Sequence, residues 1–269
     1  MEQQQLWDAC SAGKVEEVIN LLQNSQININ WRDTYYARTP FYVACHEGHI
    51  EIVKLLLKDE RVDINKSENV NGVTPFSIAC QKGYIDIVKL LLNDERIDIN
   101  KADIDGQTSF NIACSQGHIE VVKLLLNEKR VDVNKARNDG VTPLYMVCYY
   151  GNVEFVKLLL NDERVDVNKA DEDGWIPFLI ACYQGHLEVV KYLLACGRGI
   201  DINKKNNEGE IAIDLARQRN ETDIVELIES FQKNQNDARA TFRIQLGLLG
   251  EIYSFIFFFI YIYMINNFL

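Results

Sequence analysis

Seven cysteines, four histidines and three Asp-Glu-Arg tripeptides are the groups in this 269-residue chain whose types could carry chemistry. Thiolates and imidazoles at short spacing hold a metal, and two thiols in reach close a disulfide. Paired carboxylates beside an apolar pocket act as general acid and base. Spacing argues against each. Cys10, Cys45, Cys80, Cys114, Cys148 and Cys182 recur in one slot, each after a small or apolar residue. His49, His118 and His186 recur in another, each directly after a glycine. Positions that repeat along a chain belong first to its scaffold. Asp59-Glu60-Arg61, Asp94-Glu95-Arg96 and Asp162-Glu163-Arg164 lie in polar turns, with no apolar run around them to raise a pKa. No phosphate-cradling glycine loop, nucleophile elbow or kinase signature is present. Catalytic residues, metal ligands and cofactors are therefore not expected, and the chain reads as a non-enzyme.

What positions those slots is an internal repeat. Thr39-Pro40-Phe41-Tyr42-Val43-Ala44-Cys45 is echoed from Thr74, Thr108, Thr142 and Ile176, at steps of 35, 34, 34 and 34 residues. Self-similarity at such a period marks stacked units that cannot each bury an apolar face alone. In the unit over residues 101–134, Asp103-Ile104-Asp105-Gly106 is a turn, with glycine where a positive φ is cheap. Thr108 is placed as an N-cap, and in the three other units led by threonine the next residue is proline, which suits a first helical position. A short helix through Phe110, Ile112, Ala113 and Cys114 ends near Gly117. A second helix from His118 carries Val121, Val122, Leu125 and Leu126 as a stripe at helical spacing. Val131-Asp132-Val133-Asn134 then alternates like a short strand leading into the next turn.

These motifs resemble the ankyrin repeat. Thr-Pro-Phe/Leu-x-x-Ala and the stretches Gly117–Leu126 and Gly185–Leu194 are similar to the family's two signature segments. The resemblance spans about residues 6–229 as seven units. It implies an all-α repeat solenoid of helix-turn-helix units with short β-hairpin loops. The expected organisation is an N-terminal capping repeat over 1–34, five central repeats over 35–203 and a C-terminal capping repeat over 204–230. A polar linker is expected over 231–243, then a hydrophobic tail over 244–269 as an apolar C-terminal helix. There are departures from the family pattern. Tyr42, Ser77, Asn111, Tyr145 and Leu179 replace the motif histidine, so its hydrogen bonds between units must be met otherwise or lost. Ile176 in the threonine slot removes a cap, at about 0.5–2 kcal/mol.

The resemblance implies a surface for another protein, lined by first helices and hairpin tips. Net charge is −11, which argues against nucleic acid and mildly favours a partner with a basic face. Cysteines placed on successive stacked helices, about 8–10 Å apart, do not easily bridge, which suits a reducing compartment. Only Cys196, in an irregular turn, is a candidate for exposure. The start of the chain is polar and lacks a signal peptide's apolar run, so a cytoplasmic location is expected.

Residues that vary between units are free to recognise. The two after each repeated cysteine differ every time: His46-Glu47, Gln81-Lys82, Ser115-Gln116, Tyr149-Tyr150 and Tyr183-Gln184. Trp175, before the threonine slot, joins Tyr149, Tyr150 and Tyr183 in one candidate aromatic cluster. Tyr35, Tyr36 and Tyr42 form a second. Aromatic residues with polar tips are enriched in binding hot spots, and they also fill gaps between packed units. The regulatory subunit or inhibitor of an enzyme is an alternative that a repeat fold does not decide. Residues 252–269 carry no charge and, as a helix, would extend about 27 Å, near a bilayer's apolar core. A membrane anchor holding a cytosolic scaffold, a cap packed on the last repeat, and read-through of A/T-rich DNA are the three readings of that run.

Overall fold

A computed structural model describes residues 2–248, so the uncharged run over 252–269 lies outside the described residues, as does the apolar helix expected there. The described residues form fifteen helices and no strand. Among them no helix is long and apolar enough to cross a membrane. They fall into two compact units that divide after Met146.

In the first unit the helices come in pairs. These are α1 (Glu2–Ser11) with α2 (Val15–Leu22), α3 (Pro40–Glu47) with α4 (Ile50–Leu57), α5 (Pro75–Lys82) with α6 (Ile85–Leu92), and α7 (Ser109–Gln116) with α8 (Ile119–Asn127). First helices pack on first helices in the order α1, α3, α5, α7, and second helices follow suit. α9 (Pro143–Tyr149) runs across the division. The second unit continues with α10 (Val153–Leu160), α11 (Pro177–Tyr183), α12 (Leu187–Ala195), α13 (Ala212–Gln218) and α14 (Thr222–Lys233). Here α10 packs on α12, α12 on α14, and α11 on α13.

Local chemistry accounts for each helix. Thr39, Thr74 and Thr108 accept the N–H three residues on with their hydroxyls, opening α3, α5 and α7. Gly48, Gly83 and Gly117 close the same helices in the left-handed conformation. Ile176 opens α11 with no side-chain bond, as expected, but is itself fully buried, so packing offsets part of the missing cap. The second helices bury one stripe and leave the other face to i,i+3 pairs such as Glu51–Lys54 and Glu120–Lys123. Leu56, Leu91, Leu125 and Leu159 are wholly buried at the same register, each stabilising by roughly 1.5–3 kcal/mol.

Two features differ from the sequence reading. The expected β-hairpins are hairpin-shaped turns without strands, as where Asp103 N–H donates to Gln107 O (3.0 Å) and Gly106 N–H to Asp103 O (3.1 Å). Bonds confined to one turn make no ladder, so no strand forms. Where a polar linker is expected, α15 (Gln235–Gln245) folds back onto α12 and α14. Ala238 and Phe242 bury one face of it, Phe242 stacks on Phe231 at 6.4 Å, and Arg243 Nε donates to Ala195 O at 2.9 Å.

Candidate binding surfaces

The repeated polar residues are absorbed by the scaffold. His49, His118 and His186 each bring Nε2 to a carbonyl of the preceding repeat, on Ser11 (3.0 Å), Gln81 (2.8 Å) and Tyr149 (2.9 Å). The glycine before each preceding unit's second helix leaves room for this. At Gly83, with φ +71°, an added Cβ would sit 2.7 Å from the His118 ring. Asn30, Asn65 and Asn100 bridge similarly, each amide donating to a carbonyl of the next repeat and accepting its N–H. In the Asp-Glu-Arg turns the aspartate clasps the arginine two residues on, and Arg61 and Arg96 also donate to carbonyls of the preceding repeat. Those arginine bonds hold the carboxyls of Asp59, Asp94 and Asp162 below the ordinary aspartate range.

The seven cysteines are free thiols. Six are buried, and burial pushes their thiols up, that of Cys10 to about 12. Cys196 is half-buried, with Sγ bonded to Leu193 O at 2.9 Å, so its turn does not leave the thiol open. Among the described residues no three His, Cys, Asp or Glu side chains group as metal ligands.

Two of the residues replacing the motif histidine supply bonds of their own. Ser77 Oγ lies 2.9 Å from both Thr74 Oγ1 and Ser109 Oγ, the latter in the next repeat. Asn111 closes a capping box with Thr108 and donates to Lys135 O at 3.2 Å. Leu179 is buried and apolar, so that slot loses the bond.

In the first unit Tyr35 and Tyr36 stand at a hairpin tip, 83% and 44% exposed, with rings 5.6 Å apart. The Asp33 carboxylate fixes this tip by accepting the N–H groups of Tyr35, Tyr36 and Arg38 at 2.7–2.9 Å. Burial alone would raise that carboxyl, but these bonds hold it below its usual value. Tyr42 is a correction: only 2% exposed, it is a core ring and cannot present a face to a partner. Burial pushes its hydroxyl up to about 12, against the pull of Arg38. Glu47, Lys82, Ser115 and Gln116 are exposed, while His46 and Gln81 are half-buried. His46 Nδ1 sits 2.8 Å from the Glu47 carboxylate.

In the second unit Tyr149 and Tyr150 are 42% and 67% exposed and meet edge to face at 5.1 Å. Trp175 and Tyr183 form a separate edge-on pair at 5.3 Å, with the Arg219 guanidinium 4.4 Å from the Tyr183 ring. Both rings of this pair and Gln184 are half-buried. The expected four-ring cluster is thus two pairs. Val70 and Ile104, 51% and 61% exposed at neighbouring tips, are further apolar contacts that the sequence reading did not select. An aliphatic residue inside an otherwise polar turn, Asn69-Val70-Asn71 or Asp103-Ile104-Asp105, was the available signal.

The family model described as ankyrin repeats (3 copies) matches residues 6–103, 95–171 and 163–237. Comparison with curated proteins gives no match. Among solved structures, the crystal structure of the ankyrin repeat domain of Bcl-3, a unique member of the IkappaB protein family, is similar with a TM-score of 0.74. The match is 23% identical and covers 82% of this chain and 97% of that one, a likeness of fold.

Proposed function

Because the chain belongs to the ankyrin-repeat family, we propose that it is a non-catalytic, cytosolic module that binds a partner protein through its hairpin tips and first-helix ends. The observation that carries this reading is the exposed Tyr149–Tyr150 pair at the end of α9. As a pair, the residues at these two positions differ in every unit, so the period does not demand rings there, and the two rings meet each other while largely open to solvent. Large rigid rings held in water gain most by being covered, and they dominate binding energies when a partner covers them. The scaffold's histidines, carboxylates and thiols are engaged in bonds or buried, which supports a holding role over a chemical one.

The test is the double substitution Tyr149→Ala, Tyr150→Ala in the full chain. Partner capture should weaken by at least about tenfold, with helical content and melting temperature nearly unchanged. The main-chain carbonyl of Tyr149 that receives His186 survives the substitution, so the repeat contact is kept. A steep fall in melting would assign the two rings to the core and refute this surface.

A further inference from the structure

A cavity of about 370 Å³ opens in the first unit between two hairpin tips and the C-terminal ends of α3 and α5. Arg38 lies in its wall, with its guanidinium carbon 4.4 Å from the centre of the Tyr36 ring and 5.3 Å from that of Tyr42. Its Nε is shielded from solvent and has no hydrogen-bond partner. Among the described residues the guanidinium forms no hydrogen bond or ion pair, and the Asp33 carboxylate acts on it only through charge. The Nε atoms of Arg137 and Arg239 also lack partners, but Arg137 is ion-paired to Asp139 at 2.9 Å and neither residue lines this cavity. Arg61, Arg96 and Arg164, by contrast, are each clasped by an aspartate.

An unpaired donor shielded from water is unfavourable, and a guanidinium is built to take a carboxylate through two parallel bonds. The Tyr36 and Tyr42 rings lie against it, which favours the cation without supplying a hydrogen-bond acceptor in the plane of the guanidinium. Lys82, on the same wall, is exposed and has no partner among the described residues. One carboxylate, Glu68, also lines the cavity. It is directed into its own turn, accepting the N–H groups of Val70 (2.7 Å), Asn71 (2.7 Å) and Val73 (3.1 Å). Two cations without an ion-pair partner therefore face a cavity whose single lining carboxylate is already turned into three backbone bonds, in a chain of net charge −11.

We propose that this cavity receives an aspartate or glutamate side chain of the bound protein, with Arg38 as the bidentate donor and Lys82 as the second charge. The occupant is a protein side chain only if the interaction reading holds, so the proposal rests on that reading. An acidic anchor entering a cationic pocket on an acidic surface would also set the register of the partner, because like charge disfavours it elsewhere.

The probes are glutamate and glutamine blocked at both ends, and inorganic phosphate, titrated into the full chain with arginine Nε–H resonances followed by NMR. Blocked glutamate should shift the Arg38 resonance saturably, identified by its loss in Arg38→Lys, and blocked glutamine should bind at least about tenfold more weakly. Lys82→Gln, which breaks no internal contact, should weaken glutamate by about threefold. Equal response to glutamine, an unaltered affinity in Lys82→Gln, or preference for phosphate would each overturn the proposal. If Arg38→Lys fails to fold, an unchanged affinity in Lys82→Gln is decisive against it. No partner protein enters this titration, so its failure leaves the Tyr149–Tyr150 surface standing, and the failure of that surface leaves the titration readable.

Discussion

The imidazole of His118 shows how a chemically versatile side chain becomes a strut. Its Nε2 engages the Gln81 carbonyl at 2.8 Å, and its ring fills the space over Gly83 that a Cβ would need. Replacing it with alanine should lower unfolding free energy by about 1 kcal/mol, the net worth of one such bond, with further loss from the emptied contact. Gly83→Ala should cost more, since it adds strain at a positive φ and a clash at 2.7 Å with the same ring. In the His118→Ala background the clash is gone and the glycine substitution should become milder. Urea denaturation of the two single variants and the double one measures that coupling, and strictly additive costs would refute the account. At this scale the sequence was informative about role, because a residue that recurs with the period is answering a demand of the period. It was silent about Arg38, which recurs nowhere.

For the helices, caps and stripes were legible because their chemistry is local: a hydroxyl three residues before an N–H, a glycine at a left-handed end. The last helix was not. Residues 231–243 look like a linker by composition, and only Phe231, Ala238 and Phe242, falling on one face once folded, reveal α15. Asn234, which accepts the Asp237 N–H at 3.4 Å, was the cap that the polar run concealed. Phe242 is 4% exposed and stacks on Phe231, so Phe242→Ala should destabilise the second unit by about 3 kcal/mol. Calorimetry of residues 2–248 checks it. A change within error would return this segment to the status of a linker.

For the whole molecule the telling quantity is charge against pH. Asp59, Asp94 and Asp162 have folded pKa values lowered chiefly by hydrogen bonds from Arg61, Arg96 and Arg164. A lowered folded pKa means that the unfolded chain binds protons first as pH falls. The contribution is therefore fully present above the unfolded value of about 3.9 and is lost as pH drops through the folded values. Protonating other carboxylates relieves self-repulsion at a net charge of −11, so the effect is read as a difference. A triple Asp→Asn variant at the three positions should be less stable than the parent at pH 7, and the gap should close toward pH 3. Urea midpoints across that range test this, and a constant gap would show that the pairs contribute nothing that titrates. The sequence by itself determined the repeat, its helix pairs and its family, because period, cap and apolar stripe are written in neighbouring residues. Only the tertiary structure decided which rings meet water. Tyr36 and Tyr42 lie six positions apart, one at an exposed tip and the other sealed in the core, and Arg38 between them is left without a partner. Burial at any one position is set by what the adjoining repeat brings against it, and that is not recorded in the residues on either side.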